Sequence, residues 1–111
     1  MNNRITKVND LLRDEIGQIL LTELRGNGEA IVTVTRADTS PSLEHATIYL
    51  SVLPAGQARA AVGRARQQIY FLQQALNKRL KLRIVPKIRF EPDRSGDHVA
   101  RIEQILEKAG K

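Results

Sequence analysis

The 111-residue chain has no cysteine and no tryptophan. Without cysteine there are no disulfides, thiolate metal sites or cysteine nucleophiles, which fits a cytoplasmic protein. Two Phe and two Tyr make up all the aromatic content, so stacking of splayed nucleobases is a weak option. Apolar runs such as Ile19-Leu20-Leu21 are far too short to cross a bilayer. The opening MNNRITKVND has no apolar core, so neither a secretory signal nor a membrane role is expected. No P-loop, glycine-rich dinucleotide motif, HExxH or GxSxG occurs, and no carboxylate pair stands beside a base. Catalysis, a cofactor and a small-molecule substrate are therefore not expected. His45 and His98 lack partners at ligand spacing, so no metal site is expected. The most local deficit is of negative charge: no Asp or Glu lies between Glu44 and Glu91.

That acid-free stretch holds nine of the 18 Lys and Arg residues, running from Arg59 to Arg89, while the flanking segments are close to neutral. The net charge is +6 and the pI about 10.2. Positive charge concentrated in one segment is what a polyanion-binding surface needs. The candidate nucleic-acid contacts are Lys78, Arg79, Lys81, Arg83, Lys87 and Arg89, with Arg64 and Arg66 upstream. Each has a plainer explanation. Cations suit a helix C-terminus, and charges on an edge strand deter strand addition. Arg59, Arg64 and Arg66 also fit a solvated helix face. A basic DNA-binding module, or a domain for an acidic protein partner, would show the same charge concentration.

The periodicities predict six elements in a single domain spanning residues 1–111. Ile5, Val8, Leu12, Ile16, Ile19 and Leu20 recur at three and four, giving a helix over about Arg4 to Leu24. Asn2 or Asn3 caps it and Gly26 ends it. Ile31–Asp38 alternates and is β-branched, so it reads as a strand. His45–Val52 alternates as well, with Ala46, Ile48, Leu50 and Val52 on one face. The short break between these strands makes an antiparallel hairpin. Val62, Ala65, Ile69, Leu72, Leu76 and Leu80 then define one long helix from Ala58 to about Leu80. Phe71, beside that stripe, is expected in the core, and Tyr70 at a wet position. A third strand over about Arg83 to Glu91 places Ile88 and Phe90 inward and Lys87 and Arg89 outward. A turn at Asp93–Asp97 leads to a last helix carrying Val99, Ile102, Ile105 and Leu106. The expected fold is α+β, a three-stranded sheet packed by helices in two layers. The order α-β-β-α-β-α resembles the KH-like (type II) RNA-binding modules.

Two blocks carry a closer resemblance. Residues 31–53 are similar to the family of ribosome-binding factor A, in which a VT-V strand passes through an SPDL turn into an A-V-Y-SV strand. Residues 71–90, from Phe71 to Phe90, resemble the same family's helix end and third strand. Asp93, Ser95, Ile102 and Leu106 continue the match. The family's Asp after the turn proline is Ser42 here. Its helix-interrupting Ala-x-Gly falls on Gln68, Ile69 and Tyr70, and its F-I-R becomes Phe71-Leu72-Gln73. With no glycine at those positions no sharp kink is expected there, and Gly63 is the candidate for a bend. The resemblance implies a small-subunit assembly factor, monomeric and non-catalytic. Its partners would be 16S rRNA and the free or immature 30S subunit, where it assists late maturation and pre-rRNA 5′-end processing.

Overall fold

The computed structural model describes residues 3–23 and 30–94. In chain order the elements are α1 (Asn3–Glu23), β1 (Ile31–Thr39), β2 (His45–Leu53), α2 (Ala58–Gln67), α3 (Ile69–Arg79) and β3 (Lys87–Pro92). A short 3₁₀ turn at Ala55–Gln57 precedes α2. Asn3 is the first residue of α1; the alternative cap Asn2, the stop at Gly26, His98 and the last helix lie outside the described residues, as does the turn beyond Arg94.

The sheet has the order β1-β2-β3. β1 and β2 form the expected antiparallel pair, joined through Ser40–Glu44. Ser40 N–H donates to His45 O at 2.8 Å and Leu43 N–H to Ser40 O at 2.9 Å. The Ser42 hydroxyl accepts from Glu44 N–H at 3.4 Å, a turn-closing role that short polar side chains share. β3 runs parallel to β2, which the helical crossover through α2 and α3 permits.

The helices cover one face of this sheet. α1 lies on β1, α2 on β2 and β3, and α3 bridges α1 and β3. The stripe of α1 (Val8, Leu12, Ile16, Ile19, Leu20) is buried against Ala46, Ile48 and Leu50 of β2 and against Val62, Ala65, Leu72 and Leu76. Each large aliphatic fully withdrawn from water contributes about 1.5–3 kcal/mol. Asn9 of α1 closes the far end of β1, its Oδ1 accepting from Thr39 N–H at 2.9 Å.

Strict alternation through β1 would place Val32, Val34, Arg36 and Asp38 on one face and so bury two charges. A bulge between Val34 and Arg36 prevents this. The extra residue, Thr35, shifts the phase so that Val34 and Ala37 face the core while Arg36 and Asp38 are exposed. Thr35 holds the bulge: its hydroxyl donates to Asp93 Oδ2 and lies 3.3 Å from Tyr49 O.

The expected single helix from Ala58 to Leu80 is two helices, and the break is at Gln68, not at Gly63. Gln68 has φ −98° and ψ 14°, a bridge conformation open to any L-residue, so no glycine is required. Hydrogen bonding continues through it: Gln68 N–H reaches Arg64 O and Ala65 O at 3.1 and 3.2 Å, and Leu72 N–H reaches Gln68 O at 3.0 Å. The cause is tertiary. Arg66 and Gln73, on either side of the break, each bond the outer edge of β3. Arg66 Nε donates to Phe90 O at 3.1 Å. The Gln73 amide donates to Pro86 O at 3.1 Å and accepts from Ile88 N–H at 2.9 Å. The third strand also begins later than expected. Leu80 turns to an extended conformation, Pro86 is buried and cannot donate, and the ladder opens with Lys87 N–H on Glu44 O at 2.9 Å.

Candidate nucleic-acid interface

The cations of the acid-free stretch lie in α2, α3, the connection 80–86 and β3, and do not form one patch. The helices occupy one side of the sheet. Lys87 and Arg89 project from the other, alternating with buried Ile88 and Phe90 as their spacing predicts.

On the helical side, Lys78 in the last turn of α3 and Lys81 and Arg83 in the connection are exposed, and none makes an ion pair among the described residues. Arg79 is committed to α1, with Nη1 3.6 Å from Glu15 Oε2 and 3.5 Å from Gln18 Oε1. Arg66 is committed to β3: besides Phe90 O, its Nη2 is 3.1 Å from Glu91 Oε2. Arg64 is half-buried, and its Nε has no hydrogen-bond partner among the described residues. At the end of α3 and in the connection, the exposed cations without an ion pair among the described residues are thus Lys78, Lys81 and Arg83; Arg59 of α2 and Arg4 and Lys7 of α1 are exposed and unpaired among those residues as well.

The open face of the sheet is mixed. Arg89 Nε donates to Thr47 Oγ1 at 2.9 Å. Lys87 and Arg89 border a cleft of about 510 Å³ whose opposite wall includes Asp38 and Ser40. One row along, the Arg36 guanidinium stacks on the Tyr49 ring at 3.9 Å, a cation–π contact of about 0.5–1 kcal/mol at an exposed site. Sequence reasoning passed over Arg36, because only the bulge brings it to this face.

Two further residues depart from the expectation. Phe71 is not core: it is 71% exposed, and Tyr70 is 68% exposed. Leu72 and Leu76 take the inward positions. Phe71 borders a groove with Gln68, Gln74, Ala75 and Lys78. Gln73, noted only as a departure from a pattern, is the side chain that seals the sheet edge. Among the described residues no three His, Cys, Asp or Glu groups could hold a metal, and no helix is long and apolar enough to cross a membrane.

Comparison with known proteins agrees with this architecture. The family model for ribosome-binding factor A matches residues 4–106. The ribosome-binding factor A of Rippkaea orientalis is 31% identical over 108 residues, covering 95% of this chain and 84% of that protein. The crystal structure of ribosome-binding factor A from Thermus thermophilus superposes with a TM-score of 0.64 at 20% identity, over 82% of this chain and 97% of the other. A second Thermus thermophilus structure, a homology model of the factor fitted into an electron-microscopy map of a complex with 30S, gives a TM-score of 0.58 at 23% identity, covering 78% of this chain and 91% of that one. The family model and the near-complete coverage agree, and the chain belongs to the ribosome-binding factor A family.

Proposed function

We propose that this protein is a small-subunit assembly factor that binds immature 30S particles through 16S rRNA, assists their late maturation and 5′-end processing, and leaves before subunits join. It acts as a cytoplasmic, non-catalytic monomer. The observation that carries the reading is that Lys78, Lys81 and Arg83, in the acid-free stretch of a chain in this family, are exposed and make no ion pair among the described residues. Folded rRNA presents dense phosphates and A-form shape that such cations read without base contacts. The Thermus thermophilus relative fitted to a 30S complex supports the small subunit as the partner.

The test is cosedimentation of the purified protein with immature 30S, mature 30S and 70S particles on sucrose gradients. The expected result is comigration with 30S species and not with 70S. Protein confined to the top of the gradient in both low and moderate salt would overturn the reading. Copurifying DNA in place of rRNA would favour a general DNA-binding role.

A further inference from the structure

The break at Gln68 leaves an aromatic pair on the surface. Tyr70 and Phe71 occupy the first turn of α3, their rings edge to face with centroids 5.9 Å apart and planes at 81°. A phenylalanine left this exposed forgoes most of the stabilisation that burial brings, and Phe71 is not needed to fill the core, which Leu72 and Leu76 close. Its surroundings are specific. The groove of about 570 Å³ beside it is lined by Gln68, Gln74, Ala75 and Lys78. That size lies within the range of small-ligand clefts, about 300–1,000 Å³.

We infer that this groove takes one unpaired RNA base, stacked on Phe71. The inference rests on the RNA-binding reading above and adds to it a mode that phosphate contacts alone do not supply. Four observations select a base over an apolar protein anchor. The ring offers a flat π surface, which any base can stack on. The two flanking side chains are amides, each with donors and an acceptor suited to a base edge. Lys78, two turns along the same helical face, lies where the nucleotide's phosphate would pass. No carboxylate lines the groove. Tyr70 meets Phe71 edge-on and so holds its ring while leaving a face open.

The experiment compares wild type, Phe71→Leu and Lys78→Ala. The probes are a 12-nucleotide single-stranded RNA carrying 2-aminopurine, a blunt RNA duplex of the same length, and immature 30S particles. Leucine keeps apolar bulk but removes the ring, and Phe71 is exposed, so circular dichroism and the urea midpoint should match wild type. The expected result is quenching of 2-aminopurine by wild type, and single-strand affinity roughly 5- to 150-fold weaker for Phe71→Leu, the range of one lost base–aromatic stack. Duplex binding stays unchanged in that variant, whereas Lys78→Ala weakens both RNAs. Equal single-strand affinity for Phe71→Leu and wild type, or no single-strand binding by wild type, overturns the stacking site. Either outcome alongside intact 30S cosedimentation leaves the small-subunit reading standing. Loss of cosedimentation by wild type removes that reading separately.

Discussion

At the scale of single residues, burial and hydrogen-bond supply decide most outcomes. Thr39 is 4% exposed, and its Oγ1 has no partner among the described residues although its backbone N–H is bonded to Asn9. A buried hydroxyl without a partner carries its desolvation cost uncompensated. Thr39→Val keeps the shape, removes that cost and favours a strand. We expect it to raise unfolding free energy by about 1 kcal/mol, read as a higher urea midpoint at unchanged slope; no gain would mean the hydroxyl finds a partner in solution. Some residue roles were legible in the sequence and some were not. Ile48, Leu50, Leu72 and Leu76 announced themselves by spacing, because burial follows helix and strand periods directly. Phe71 adjoins the apolar stripe and so reads as core, yet neighbouring helical positions point about 100° apart and Leu72 fills the place. Arg36 was assigned no role, since no residue type signals a bulge at Thr35.

At the scale of elements, α1, β1 and β2 begin or end within a residue of their sequence boundaries, because local periodicity and turn residues set them. The division of the long helix into α2 and α3 had no local marker. It depends on Arg66 and Gln73 reaching β3 from opposite sides of Gln68, a contact 15–24 residues away in sequence. Gln73 is suited to this because its amide both donates and accepts, and it meets a backbone carbonyl and a backbone N–H at once. Arginine has donors only. Gln73→Arg therefore leaves Ile88 N–H without its acceptor. The expected cost is about 1–2 kcal/mol, near that of one partly buried donor left unpaired, with faster amide hydrogen exchange at Ile88. Protection at Ile88 equal to wild type would show that the Gln73 clamp does not hold the strand edge in solution.

At the scale of the whole molecule, the sequence segregates charge more sharply than the fold does. Cations adjacent along the chain divide between a helical side and a sheet face, and two of them, Arg66 and Arg79, are drawn into ion pairs with Glu91 and Glu15. Exposed pairs of this kind stabilise the fold by about 0–1 kcal/mol, but each pair makes its guanidinium less available to a polyanion. The salt dependence of RNA binding should register the difference. Removing Lys81 and Arg83 together should flatten the slope of log K against log salt by about 1.5, near 0.7–0.9 per lost phosphate contact. Arg66→Ala and Arg79→Ala should each change it by clearly less than one contact. Equal slope changes across the four sites would show that internal pairing does not set which cations meet RNA.

The two clamps on β3 also bear on solubility. An exposed strand end in a three-stranded sheet is a template for another chain's backbone, and fibrils grow by such templating. Here Pro86 O and Ile88 N–H are capped at one point and Phe90 O at another. The stretch between them is too short for an incoming strand to zip onto. The helix break thus comes with a guard at this edge of the sheet, because the same two side chains that span the break occupy bonds that a strand adding to β3 would need.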